Sequence, residues 1–137
     1  DQMAIAHALL SPELKVTGII AAHYGTKKHA NSMERSYQEI LHLLALLGME
    51  NSVPVLKGSP VALTDPKVPQ KSEGAEFIIE QALAKDETDP VYVAYLGPVT
   101  DMASAYLMES NISRNLVTLW IGGLAANSIL IPPAFIF

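Results

Sequence analysis

The residues of this chain whose types and spacing could do chemistry are Asp1, His23 with Tyr24, Lys57 to Ser59, Leu96 to Asp101, and Gly122-Gly123. Asp1 stands directly ahead of an apolar helical pattern, where a carboxylate can bind a hard cation or orient a water. The same position suits a helix cap, or a charged end left by truncation. His23 could donate a proton to a leaving group or touch a ligand, because imidazole titrates near neutrality; its plainer reading is a loop residue after a strand. Asp101 is either a polar group in a pocket or, with Thr100, a cap on the helix that begins there. His7, His29 and His42 lie on helices or a helix entry at no metal-ligand spacing and read as structural or surface residues. Lys27 and Lys28 are too few for a phosphate patch, and Gly122-Gly123 lacks the G-x-G-x-x-G context of a dinucleotide site.

These groups can meet only if the elements between them form a parallel sheet, whose strands all end on one edge. The pattern predicts one. Apolar residues at Met3, Ile5, Ala6, Leu9 and Leu10 predict a helix over Asp1 to Leu10, stopped by Ser11-Pro12-Glu13. Leu14 to Ala22 reads as a buried strand, and Ala30 to Leu47 as a helix with a stripe of Met33, Tyr37, Ile40, Leu41, Leu44 and Leu47, closed by Gly48. The leucines of that stripe are expected in the core. Ser52 to Leu56 is a short strand, followed by a long loop through Gln70. Ser72 is the expected N-cap of a helix reaching Ala84, with Phe77, Ile78, Ala82 and Leu83 facing inward. Val91 to Leu96 is short, β-branched, aromatic and apolar on both faces, as a strand inside a parallel sheet should be. Gly97-Pro98 stops it, a helix runs from Thr100 to about Met108, and a last strand spans Leu116 to Ile121. The alternation αβαβαβαβ defines an α/β fold, a Rossmann-like three-layer sandwich with a mostly parallel sheet and right-handed crossovers. Its carboxyl edge gathers all the candidate groups, with Asp1 following a strand that would have to precede it.

Composition bounds the partners. The 137 residues form one domain's worth of chain, 50% hydrophobic and 17% charged, so a substantial core and no disordered class are expected. A net charge of −5 supplies no basic stripe for nucleic acid or an anionic membrane. With no cysteine, disulfides and thiolate chemistry are excluded. No apolar run approaches the roughly 20 residues of a membrane helix, and a cytoplasmic location is expected. Asp1-Gln2 opens inside a helical pattern and the chain closes on the apolar stretch from Ile129 to Phe137, so both ends read as cut.

Several segments, in order, resemble the nucleoside hydrolase family, the inosine-uridine preferring N-ribohydrolases. Asp1-Gln2-Met3-Ala4-Ile5-Ala6 resembles the end of that family's Asp-rich amino-terminal motif, and Ser11-Pro12-Glu13-Leu14 with Val16-Thr17-Gly18-Ile19 its next turn and strand. Val53-Pro54-Val55-Leu56-Lys57-Gly58 is similar to its third strand, and Ser72-Glu73-Gly74-Ala75 with Phe77-Ile78 to a helix start of bacterial members. Leu96-Gly97-Pro98-Val99-Thr100-Asp101-Met102-Ala103 resembles its Gly-Pro-Leu-Thr-Asn/Asp turn, and Trp120-Ile121-Gly122-Gly123 its glycine-ended strand.

The resemblance implies calcium-dependent cleavage of the N-glycosidic bond of a ribonucleoside, a salvage reaction. It makes Asp1 a calcium ligand through its carboxylate, Leu96 a ligand through its main-chain carbonyl, and Ile121 a wall beside the sugar. His23 and Tyr24 stand where a substrate contact is expected, although Tyr24-Gly25 replaces the family's common Gly-Asn. The upstream Asp residues and the segment after Gly122-Gly123 are absent, with Ala125-Ala126-Asn127 resembling a later piece, so the catalytic carboxylate is unknown. A small-molecule nucleoside is the expected partner, a homo-oligomer stays open, and the alternative is a non-catalytic nucleoside- or ribose-binding or protein-interaction module on the same fold.

Overall fold

In the computed structural model, residues 1–27 and 29–121 are described. Lys28, Gly122-Gly123, Ala125-Ala126-Asn127 and the stretch from Ile129 to Phe137 lie outside them. The described chain runs α1 (Gln2–Leu10), β1 (Ile19–Ala21), α2 (Ser32–Leu46), β2 (Val55–Lys57), α3 (Glu73–Leu83), β3 (Val91–Tyr95), α4 (Thr100–Met108), a 3-10 turn (Ser110–Arg114) and β4 (Leu116–Trp120). All strand pairs are parallel, as an α/β protein requires, but they form two sheets of two strands. Ile19 to Ala21 pair with Val55 to Lys57, and Val91 to Tyr95 pair with Leu116 to Trp120.

The first expected strand is shortened for a physical reason. Leu14 to Gly18 carries β-forming residues, yet strand geometry persists only where a neighbour completes the ladder, and β2 offers partners to Ile19, Ile20 and Ala21 alone.

Side-chain alternation along β1 places helices on both faces. Ile19 and Ala21 join Val55 in a cluster with Ile5 and Leu9 of α1 and Tyr37, Ile40 and Leu44 of α2. Ile20, between them, points the other way, into the cluster built from Ala75, Ile78 and Ala82 of α3, Ala105 of α4 and Ile112. Val91 and Leu116 pack on that same cluster. One layer is therefore α1 with α2, the middle layer holds the strands, and the other layer is α3 with α4. Each fully buried aliphatic side chain contributes about 1.5–3 kcal/mol. The opposite face of β3 and β4 is bare, with Tyr92 67% and Leu119 55% exposed.

The helix stripes are narrower than predicted. Leu41 on α2, Leu83 on α3, and Met3 and Leu10 on α1 are exposed, because each helix meets only one layer and residues at the flanks of a stripe turn past it. The α2 terminus is as expected: Gly48 sits at φ +65°, its N–H bonds to Ala45 O at 3.1 Å, and Met49 N–H reaches Leu44 O at 2.8 Å. That pair of bonds is a Schellman motif, which a left-handed glycine admits without a Cβ penalty. No described helix is long and apolar enough to cross a membrane.

Candidate active site

The carboxyl ends of β1, β2 and β3 deliver a ring of buried polar groups, and Asp101 is its centre. Asp101 lies in the first turn of α4 and is 4% exposed. Its Oδ1 accepts from the Ser59 N–H at 2.8 Å, in the loop after β2, and from the Ser72 hydroxyl at 2.6 Å, at the start of α3. Ser72 caps α3 as predicted, its Oγ accepting from Ala75 N–H at 3.0 Å. Asp101 does not cap its own helix. Val99 holds the N-cap position of α4, with no side-chain cap bond, and the carboxylate is spent on a neighbouring loop and helix. Ser104, one turn further along α4, accepts from Gln70 N–H at 3.0 Å, so α4 holds both ends of the long loop between β2 and α3.

Gly58 is where the ring is tightest. A Cβ there would stand 2.4 Å from Asp101 Oδ2 and 2.7 Å from Ala21 O. Only glycine lets the backbone pass between that carboxylate and β1, whose Ala21 carbonyl accepts the Gly58 N–H at 3.0 Å.

His23 is 5% exposed, and its ring is fully committed. Gly25 N–H donates to Nδ1 at 3.2 Å, which makes that nitrogen the acceptor of a neutral imidazole; Nε2 then carries the proton and donates to Thr100 Oγ1 at 2.8 Å. Burial holds its pKa below the ordinary value, with the Asp101 charge pulling the other way. Thr100 is thus neither a free pocket group nor a helix cap but the partner of His23. Tyr24 follows on the surface, half exposed, with its N–H on Ser32 Oγ at 3.3 Å and its ring edge-on to His29 at 6.2 Å between centroids.

At β3 the Gly97 turn is clamped from β4. Trp120 Nε1–H donates to Gly97 O at 2.8 Å, and Ile121 N–H donates to Tyr95 O at 2.9 Å. Leu96 lies between these anchors, and among the described residues no donor reaches its carbonyl. Ile121 is 75% exposed. The Tyr95 hydroxyl is buried without a hydrogen-bond partner among the described residues; burial pushes its pKa well up, with the Asp101 charge adding to the effect.

Of the remaining candidates, Lys57 is engaged away from the ring, paired with Glu34 at 2.8 Å and lying 4.8 Å over the Tyr37 ring. Asp1 is exposed at the head of α1, where its carbonyl accepts from Ile5 N–H at 3.1 Å and its side chain makes no cap bond. The sequence places Ser59 among the edge groups but does not mark it as the partner of Asp101, nor Ser104 of α4 as the anchor of Gln70, nor Trp120 as the clamp on the turn. Their only signal is small polar or indole groups near strand ends, which many surface loops share.

As donors for a cation the described residues fall short. Calcium takes six to eight oxygens, whereas the resemblance supplies Asp1 and the Leu96 carbonyl, and no three His, Asp or Glu side chains converge among the described residues. Asp101, the buried carboxylate at the edge, is already bonded to Ser59 and Ser72. These residues do not fit a complete calcium site.

A parallel α/β framework with helices on both faces and a polar ring at the carboxyl edge defines the class of α/β proteins that take small molecules at that edge. Residues 1–129 match the family model for inosine-uridine preferring nucleoside hydrolases, and the chain belongs to that family. Members of this family are generally metal-dependent. No curated protein and no solved structure gave a match.

Proposed function

We propose that this chain forms the carboxyl-edge framework of a nucleoside N-ribohydrolase, an enzyme that cleaves the bond between a ribose and its base with calcium as cofactor. The observation that carries the reading is the family match over residues 1–129 on a fold that gathers His23, Thr100-Asp101 and the Leu96 turn at one edge. In such a hydrolysis water adds to the sugar's anomeric carbon as the C–N bond breaks; a carboxylate takes the water's proton, and the base leaves with a proton of its own. By the resemblance, the Asp1 carboxylate and the Leu96 carbonyl would be this chain's contribution to a calcium site completed elsewhere, whose ion would supply Lewis-acid chemistry. The role of this chain's own residues is positional: Asp101 ties the loops after β2 and before α3 to α4, and Trp120 fixes the turn that presents Leu96. His23, neutral and bonded at both nitrogens, supports the edge instead of supplying a proton. Tyr24 and Ile121 are the exposed side chains beside it that can meet a nucleoside.

The 137 residues alone are expected to turn over little or no substrate, because two candidate oxygen donors do not hold calcium and, among the described residues, no free buried carboxylate stands at the edge. Nucleoside hydrolysis with added calcium, measured on a longer protein that contains this chain, tests the reading. Release of ribose and base supports it, and no release from any common nucleoside sinks it.

The competing reading is a binding module without catalysis, favoured by the commitment of both His23 nitrogens and of the Asp101 carboxylate to internal bonds. Calorimetry with ribose and with nucleosides separates the two: binding that is indifferent to calcium favours the module.

A further inference from the structure

The loop that follows β1 carries Tyr24 to the carboxyl edge, and very little holds it there. Gly25 sits at φ +88°, in the left-handed region, and a Cβ built on it would meet no atom within 4 Å. Packing therefore does not fix the turn. Among the described residues, no backbone-to-backbone hydrogen bond ties Tyr24, Gly25, Thr26 or Lys27 to the rest of the fold. Two bonds to side chains remain: Tyr24 N–H to Ser32 Oγ at 3.3 Å, and Gly25 N–H to His23 Nδ1 at 3.2 Å. The acceptor of the second is anchored across the molecule, since His23 Nε2–H donates to Thr100 Oγ1 on α4 at 2.8 Å. One imidazole ring thus joins the loop after β1 to the first turn of α4.

Such a joint works in one protonation state only. The bond from Gly25 needs a lone pair on Nδ1, which the neutral ring has and the imidazolium lacks. On protonation, Nδ1–H and Gly25 N–H become two donors face to face, while the Nε2–H bond to Thr100 survives. The break is directed at the loop and not at α4. Among the described residues, Asp101 on α4 is the charge that acts on the ring, and it favours the imidazolium; burial outweighs it and keeps the ring neutral to a pH below 6.5. On the α2 side, Arg35 Nη1 is bonded to His29 Nδ1 at 3.2 Å, and Glu34 is paired with Lys57 at 2.8 Å. Glu73 at the head of α3 accepts the Lys57 N–H at 3.0 Å, and burial keeps the Tyr95 hydroxyl of β3 protonated. Lys27 on the loop is exposed, and His29, edge-on to the Tyr24 ring, is the other imidazole beside it.

We propose that His23 is a proton-operated latch: neutral, it clips the Gly25 turn to α4 and so holds Tyr24 at the edge, and protonated, it lets the turn go. Tyr24 and Gly25 then keep only the bond to Ser32, and the loop opens while the sheets and helices stay folded. The latch rests on the bonding of the ring alone. Its effect on a ligand rests on the proposed function, in which Tyr24 meets the nucleoside: affinity falls in proportion to the fraction of molecules whose latch is closed.

The test follows the Gly25 amide and the His23 ring nitrogens by NMR in the 137-residue chain between pH 7.5 and pH 5. Protection of Gly25 against hydrogen exchange, corrected for the intrinsic rate, is expected to fall about tenfold. Its midpoint should lie below pH 6.5 and coincide with proton uptake at Nδ1, while the helical amides of Leu44 and Ala105 keep their protection. His23→Gln removes the titration and should abolish the pH-dependent step at Gly25. Thr100→Val, which frees the ring from α4, should loosen Gly25 already at pH 7.5, and serves if the glutamine variant does not fold. His29→Gln should leave the midpoint where it is. A Gly25 amide indifferent to the charge on Nδ1 overturns the proposal, as does a step that survives in His23→Gln or vanishes in His29→Gln. So does simultaneous loss of protection at Leu44 and Ala105, which is unfolding and not unlatching. Where uridine binds, its Kd should weaken about tenfold one pH unit below the midpoint, and equal binding on both sides of the midpoint overturns the link to Tyr24. Absence of uridine binding at every pH counts against the proposed function, while the amide readout still decides the latch.

Discussion

The most consequential residue is Asp101, because its one carboxylate oxygen serves two elements. Replacing it with alanine leaves the Ser59 N–H and Ser72 hydroxyl without their acceptor in a buried place, which is expected to cost about 3 kcal/mol in a urea melt; asparagine, which keeps an acceptor oxygen, should cost distinctly less. Equal losses would show that Asp101 acts through its volume and not through these bonds. His23 gives a pH dependence of definite sign. Its ordinary pKa is 6.5 and burial lowers it in the folded protein, so the unfolded chain takes up the proton first as pH falls. The stability it contributes is fully present above pH 6.5 and is lost as pH falls through the folded value. Stability measured at pH 7.5 and pH 5.5 should drop in the natural chain and drop less in His23→Gln; an identical drop in both assigns the acid sensitivity to other groups.

At the scale of elements, the tightest junction is that between β1, β2 and α4 at Gly58. Gly58→Ala pushes a methyl against the backbone carbonyl of Ala21 and the Asp101 carboxylate, and should destabilise by about 2 kcal/mol in thermal unfolding. A neutral outcome would mean that the loop after β2 yields at no cost. The elements themselves were largely legible in the sequence. Helix α4 spans the predicted Thr100 to Met108, Ser72 is the cap of α3, and Gly48 ends α2, because capping and periodicity are local signals that a short window contains. The role of Asp101 was not legible. Its partners lie 29 and 42 residues away in the chain, and a polar residue at a helix start looks the same from sequence whether it caps or reaches across. The Leu14 to Gly18 run was overread for a related reason: strand propensity is local, but a ladder needs a neighbour.

For the whole molecule, the strand count per sheet was the feature that sequence could not supply. Alternation of elements predicts a parallel sheet; whether neighbours in space are bonded or stand either side of a gap depends on what fills the middle. The same scale governs metal dependence. With two candidate oxygen donors, the 137-residue chain is expected to show no rise in melting temperature with millimolar calcium beyond that with magnesium. A calcium-specific rise that grows with concentration, as ligand linkage requires, would show that the chain completes a site by itself. The hydrogen bond from Trp120 to the Gly97 carbonyl also gives the molecule an optical property. The chain has a single tryptophan, and it sits on the turn that presents Leu96. Its fluorescence is therefore a built-in reporter of that turn, free of background from any other indole: a nucleoside or cation arriving at the edge should shift the emission, and Trp120→Phe should silence the signal.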